Sequence, residues 1–355
     1  MDPDKPIKII AVGSMPPPLG GTTVSFSCLV GLLRERTDVD FIVIDTAGMR
    51  SRGFRGMLGF LRCLGRMFLE SRDAAILTVH VSPTALPFIG PGAWVVSRLT
   101  RTPYVVRMFG GMHYGELPQP WRSIAGMVVR GSDLYLAQTR QLIVAAQAEG
   151  VKRVEWFPTS RPMVSDSGPS SGTSASPCRF AFVGHVKWTK GISEMMEAAQ
   201  RFRDEVIVDV YGPFTGDVVA EDFTGKNNIR YCGVLPPDQV GAVLSRYDAL
   251  LLPTYHDGEG YPGVVVEAFS VGIPVICSRW KSLPEMVDED CGILVQPRDA
   301  NSLYQAMLAF VESPDLVEKL KAGAYRKRKN FDAGHWADCF VEFCRKLAKT
   351  KNSKA

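Results

Sequence analysis

No stretch of the 355 residues approaches the eighteen or more apolar positions in a row that a membrane-crossing helix needs, so a helical span is not expected. The N-terminus, MDPDKPIKIIAVG, lacks the basic region and apolar run of an export signal, and a soluble, cytoplasmic chain is the expectation. The eight cysteines (Cys28, Cys63, Cys178, Cys232, Cys277, Cys291, Cys339 and Cys344) form no CxxC pair and no Cys/His ligand spacing, which argues against a zinc site. In a cytosolic setting they read as reduced core residues. No helix-turn-helix, zinc-finger or RNP-type aromatic pattern is present, and no nucleic-acid partner is expected.

What is present is enough apolar sequence, 46%, for two domains of ordinary size. The formal charge of +4 hides an asymmetry: 19 Lys and Arg stand against 12 Asp and Glu up to residue 165, and 22 against 25 beyond it. A basic first half suits phosphate-bearing or membrane-surface partners.

The first half alternates apolar strands with helical stretches: IKIIAVG (7–13), a helix over 22–36, FIVID (41–45), a helix over 54–72, AILTVHV (75–81), a helix over 84–99, YVVRMFGG (104–111) and LYLAQT (134–139). Strands rich in Val and Ile without strict alternation indicate a parallel sheet covered on both faces. SDSGPSSGTSASP (165–177) cannot bury enough apolar surface to order itself and is read as a flexible domain linker. A second alternation follows, with strands at 179–184, 206–212, 229–233, 249–253, 274–278 and 291–295 and helices over 191–203, 237–246, 263–271 and 299–311. The division is therefore 1–164 as the first domain, 165–177 as linker, 178–330 as the second domain, and 331–355 as a helix packing back on the first domain, with a tail. Facing doubly wound domains would point their strand C-terminal ends at a shared crevice, where ligands bind.

The most informative run is HDGEGYPGVVVEAFSVGIPVICS (256–278). Pro262 suits a helix start. Gly263 lets the backbone come close to a ligand, and the first free amides, at Gly263 and Val264, face any anion with the positive end of the helix dipole. Glu267, about one turn deeper, can accept hydrogen bonds from a vicinal diol. Glu259 lies in the loop. Upstream, FVGHVKWTKGI (182–192) ends a strand at Gly184 and leads to Lys190-Gly191 at a helix start, where a lysine offers a compact charge to a diphosphate.

Glu259 to Glu267 matches the E-x7-E motif of the retaining GT-B glycosyltransferases, and the run resembles the EGxPxxxxEAxxxGxPVI block of the glycosyltransferase 4 family. The likeness extends through Leu283-Pro284-Glu285 and Gly292-Ile293-Leu294-Val295, and 182–192 is similar to the family's G-R-x(4)-K-G motif. The fold implied is α/β, GT-B, with two Rossmann-like doubly wound domains facing a central cleft. The activity implied is metal-independent transfer of a hexose, with retention, from a UDP- or GDP-linked donor to a glycan or lipid-linked acceptor in bacterial-type cell-surface polysaccharide assembly. Glu259 would orient the sugar, Glu267 the ribose and Lys190 the diphosphate. His185 stands where the family has arginine, so the second cation is either His185 or Lys187.

In the first domain Gly20-Gly21 resembles the family's GG loop and would bring amides against a phosphate or the acceptor. In RMFGGMHY (107–114), Phe109 precedes Gly110 where the family commonly has a histidine on the donor sugar; either His113 reaches in from the next turn, or the sugar is less polar there. His80 is read as a satisfied structural histidine. The Asp-x-Asp run Asp38-Val39-Asp40, ahead of a strand in the first half, has no nucleotide site beside it, and no metal or other cofactor is expected. Residues 49–72 carry six arginines and one glutamate, with Phe54, Met57, Leu58, Leu61, Leu64 and Phe68 at helical spacing. They form either an ordinary core helix or one lying on the membrane, which would place the protein peripherally at the inner face. A non-catalytic two-domain ligand-binding protein, or a nucleotide-sugar epimerase or phosphorylase on the same fold, are the rival readings.

Overall fold

The computed structural model describes residues 5–163, 177–216 and 218–352, apart from Ser51 and Arg52. It divides into two compact units: Met1–Ser160 with Ala333–Ala355, and Arg161–Asp332.

Unit 1 runs β1 (Ile7–Gly13), α1 (Gly21–Arg34), β2 (Val39–Asp45), α2 (Phe54–Ser71), β3 (Ile76–Val81), α3 (Leu86–Thr100), β4 (Tyr104–Met108), α4 (Trp121–Arg130), β5 (Leu134–Ala137), α5 (Arg140–Ala148) and β6 (Val154–Trp156). Its sheet has the order β2-β1-β3-β4-β5-β6, all parallel. Covered on both faces, β3, β4 and β5 are buried along their whole length, which is why their sequences are apolar without alternation.

Unit 2 runs β7 (Cys178–Val183), α6 (Ile192–Ala199), β8 (Val206–Tyr211), β9 (Ile229–Tyr231), α7 (Val240–Leu244), β10 (Ala249–Leu252), α8 (Gly263–Ser270), β11 (Val275–Ser278), α9 (Leu283–Met286), β12 (Gly292–Val295), α10 (Ala300–Glu312) and α11 (Pro314–Lys327). Its strands, also parallel, are ordered β12-β11-β10-β7-β8-β9. Two doubly wound parallel sheets, each with its own core, make the GT-B type of architecture.

Helix α12 (Ala333–Asn352) belongs to unit 1 and packs on α1 and β3. Phe340, Val341 and Cys344 are buried with Ile9, Leu33, Ile76 and Phe157. The chain passes from unit 1 to unit 2 at Ser160–Arg161, ahead of the expected linker. Arg161 is already tied into unit 2, its amide donating to the Phe331 carbonyl at 3.1 Å and its guanidinium to Glu267. The Ser- and Gly-rich run lies, except for Pro177, outside the described residues. Because Phe340 fills the centre of the α12 contact, Phe340→Ala should destabilise unit 1 by roughly 3–5 kcal/mol. Urea unfolding is the check, and unit 2 should keep its own transition.

Candidate functional site

In unit 2 the strand order reverses direction between β7 and β10, the kind of position at which open α/β sheets bind their ligands. The loop after β7 carries Gly184, His185, Lys187 and Lys190, and the loop after β10 carries Thr254, His256 and Glu259. Both loops meet at this point. Lys190 Nζ lies 2.5 Å from Glu259 Oε2, which also accepts a 2.8 Å hydrogen bond from Thr254 Oγ1. Glu259 is buried, at 6% exposure. Lys187 Nζ lies 3.3 Å from the Nδ1 atom of His256. The backbone closes the arrangement: Tyr255 N donates to the Thr189 carbonyl at 2.9 Å, and Trp280 Nε1 donates to the His256 carbonyl at 2.9 Å.

Two glycines make these approaches possible. Gly191 has φ +80°, and a Cβ there would stand 2.2 Å from the Pro253 carbonyl oxygen, so the turn that presents Lys190 fits against the β10 loop only with glycine. A Cβ on Gly212 would strike the Gly184 carbonyl, so the ends of β7 and β8 are also drawn together by the lack of a side chain.

The electrostatics are lopsided. Burial, then the charges of Lys190 and Lys187, hold the His185 imidazole below its usual range; burial, then Lys187 and Lys190, do the same to His256. Burial and the Lys190 charge lower Lys187, with Glu259 opposing. Cation-forming groups crowd together around one buried carboxylate, so an anion bound beside them would relieve the repulsion.

At α8, Arg161 Nε donates to Glu267 Oε1 at 2.6 Å. The space beside Gly263 is taken by the Arg161 guanidinium, since a Cβ there would fall 1.9 Å from its Nη2 atom. The absence of a side chain at Gly263 thus makes room for Arg161. The first two helical positions, Gly263 and Val264, have N–H groups that no intrahelical carbonyl can satisfy. Next to this site, Tyr261 donates its hydroxyl to Glu285 Oε2 at 2.6 Å, which gives the Glu285 of the extended motif a positioning role.

Unit 1 has its own reversal, between β1 and β3, and a cavity of about 410 Å³ sits there, lined by Ser14, Thr22, Thr23, Thr46, Ser82 and apolar side chains including Met49 and Phe88. Gly20 caps α1, with no protein atom near the Cβ positions of Gly20 or Gly21. His80 forms part of the cavity wall at 1% exposure. Thr78 Oγ1 spends its proton on the Ile10 carbonyl, so it accepts from His80 Nε2–H at 3.0 Å. His80 Nδ1 has no partner among the described residues. The histidine, expected to be a satisfied structural one, is therefore satisfied at one nitrogen.

Phe109 is a core ring, packed with Ala11, Phe26 and Val30 under the Arg107 guanidinium. Gly110 donates its amide to Gln138 at 2.7 Å, and His113 Nδ1 accepts from Gly115 N at 3.1 Å. None of these three lines the cavity. Asp38 is held by Arg36 and Arg345, each at 2.8 Å, a structural use of the Asp-x-Asp run. Sequence reasoning missed Thr254, His256 and Arg161.

Residues 177–313 match the family model described as glycosyl transferases group 1. O-antigen chain mannosyltransferase B of Escherichia coli is 28% identical over 170 residues, which are 45% of this chain and 43% of that protein; the match thus spans less than half of the relative. Among solved structures, Anabaena HepE in complex with UDP superposes with a TM-score of 0.74 at 14% identity, over 96% of this chain and 100% of that one. Sucrose-phosphate synthase from Thermosynechococcus elongatus gives the same TM-score and identity over 97% and 100%.

If Gly263 is glycine to admit Arg161, then Gly263→Ala and Arg161→Ala should each lower stability, and the double variant should cost at least about 1 kcal/mol less than their sum. Chemical denaturation of the four proteins measures this. The likeness to the glycosyl transferases group 1 family thus covers residues 177–313, which make up most of unit 2.

Proposed function

We propose that the protein is a retaining glycosyltransferase which moves a hexosyl group from a UDP- or GDP-linked donor on unit 2 to a glycan or lipid-linked acceptor, in the assembly of a bacterial-type cell-surface polysaccharide. The observation that carries this reading is the cluster at the β7–β10 reversal, where His185, Lys187, Lys190 and His256 crowd around one buried carboxylate. A diphosphate is an anion of the right charge for such a group. The family match over this unit and the UDP in the HepE structure support the same reading.

In this reading Lys190, with Lys187 and His185, neutralises the departing diphosphate without a metal ion. The amides of Gly263 and Val264 add the positive end of the α8 dipole. Glu267, oriented by Arg161, accepts from the ribose diol through its second oxygen. Glu259, fixed by Lys190 and Thr254, orients the sugar. The bond between the anomeric carbon and the phosphate oxygen breaks as the acceptor oxygen bonds to the same face, and the acceptor proton passes to the departing phosphate. The hydroxyl-lined cavity of unit 1 is the proposed seat for the acceptor, and residues 49–72 are the proposed membrane contact, which would hold the protein at the inner membrane face.

Thermal unfolding with EDTA present, against a panel of nucleoside diphosphates and nucleotide sugars, is the test. A rise in melting temperature with a UDP- or GDP-ligand, lost in Lys190→Ala, is expected. No shift with any nucleotide would sink the proposal. A pH effect follows from the histidines of this cluster. Because an anion favours the protonated forms of His185 and His256, and their ordinary range is near 6.5, affinity for a nucleotide sugar should rise as pH falls through and below that value. A nucleotide sugar is the correct titrant because its esterified diphosphate keeps its charge over this interval. Calorimetric titration on either side of neutrality reads the change, and a flat profile would remove the histidines from the site.

A further inference from the structure

Fourteen large apolar side chains are exposed among the described residues, and ten of them lie on three consecutive helices of unit 1: Phe54, Met57, Leu61, Phe68 and Leu69 on α2, Phe88, Val95 and Leu99 on α3, and Trp121 and Met127 on α4. The three helices pack side by side as one layer. Leu64 of α2 fills the space beside Gly92 of α3, where a Cβ would come within 2.4 Å, and Val128 of α4 packs against Gly90 of α3 in the same way. On the outer surface Phe88 and Trp121 join α3 to α4, with ring centroids 4.8 Å apart.

The core-facing side of α2 carries Gly56, Cys63, Met67 and Ser71, with Phe60 and Leu64 packed beside them, so the outward row Phe54, Met57, Leu61 and Phe68 is surplus to the core. Surplus apolar surface on this scale marks an interaction site. Its charge selects the partner. Exposed arginines stand along the layer and at its helix ends, Arg55, Arg62, Arg66 and Arg72 with α2, Arg98 and Arg101 with α3, and Arg122 and Arg130 with α4. The only acid within the three helices is Glu70, which Lys8 neutralises at 3.2 Å.

We infer that α2, α3 and α4 together form a docking face for an anionic lipid surface, with the apolar rows entering the acyl boundary and the arginines lying at the phosphates. The inference rests on the membrane contact proposed for α2 and widens it to a layer, but it does not rest on the donor site. Phe88 belongs to this face and also lines the cavity at the β1–β3 reversal, so the cavity adjoins the docking surface. An amphiphile held in the layer could present its hydroxylated head there.

Sedimentation of the full chain with vesicles of phosphatidylglycerol and phosphatidylcholine, against phosphatidylcholine alone, is the test. Binding to the anionic vesicles is expected to be at least roughly tenfold tighter, because each arginine near an anionic surface contributes roughly fivefold. Leu61→Glu on α2, Leu99→Glu on α3 and Met127→Glu on α4 should each weaken it. Each variant is exposed, and an unchanged melting temperature would verify its fold. Brominated lipids should quench tryptophan fluorescence, and Trp121→Phe should remove most of that quenching. Equal binding to both vesicles, or none, would overturn the inference. So would binding that only the α2 variant weakens, which confines contact to one helix, or self-association that Leu61→Glu abolishes without vesicle binding, which makes a second copy the occupant. A protein that shifts with nucleotides yet ignores vesicles loses this face and keeps its donor site.

Discussion

In a parallel sheet every strand ends on the same edge, and the chain must choose, strand by strand, in which direction to lay down the next one. Where that direction reverses, the two neighbouring connections leave toward opposite faces of the sheet, and the strand ends between them are the usual seat of a ligand. In unit 2 this happens between β7 and β10, and the chemistry collects there: one loop brings Lys187 and Lys190, and the other brings Thr254, His256 and Glu259. Residues about seventy positions apart become neighbours through topology alone. Unit 1 repeats the arrangement between β1 and β3, and its cavity lies at that reversal. The positions of both sites follow from strand order.

The Lys190–Glu259 pair is a poor candidate for a stabilising device. Burying two charges costs several kcal/mol for each ion before their attraction returns it, and an apolar pair of similar volume serves stability as well or better. Its setting accounts for it differently. Glu259 is held at one oxygen by two donors, with Lys187 and two histidines crowded nearby against their own solvation. Such preorganisation suits the anion binding proposed for this cluster, since its charges are already fixed in place.

Much of this was readable from the chain. The two alternations of short apolar runs gave both doubly wound units, and Glu259, Glu267 and Lys190 stood out because they sit at fixed spacing among glycines and prolines. Arg161 did not. It lies 106 residues before Glu267, in a stretch with no pattern, and only folding reveals that the empty side of Gly263 is its berth. Thr254 and His256 follow a buried strand as ordinary polar loop residues, and nothing local distinguishes them. The short strand β6 and the helices α4, α5 and α11 escaped because their apolar periodicity is brief or diluted by charge. The apolar row on α2 was visible as helical spacing, yet spacing cannot tell a row that faces the core from one that faces outward. The structure gives the core Cys63 and Met67, with Leu64 of the expected row packed beside them, and leaves Phe54, Met57, Leu61 and Phe68 exposed.

Helix α12 has a consequence for how the molecule is made. Unit 1 is written in two pieces, with the whole of unit 2 between them, and the last piece supplies Phe340, Val341 and Cys344 to a core that includes Ile9 of the first strand. During synthesis the face of β3 and α1 that receives α12 stays bare while some 170 residues of unit 2 emerge and fold. The first unit to leave the ribosome is thus the last to be finished, and for that interval its unfinished face is open to wrong partners. Chaperone dependence in this protein should follow the delay before α12 arrives more closely than the stability of the completed fold.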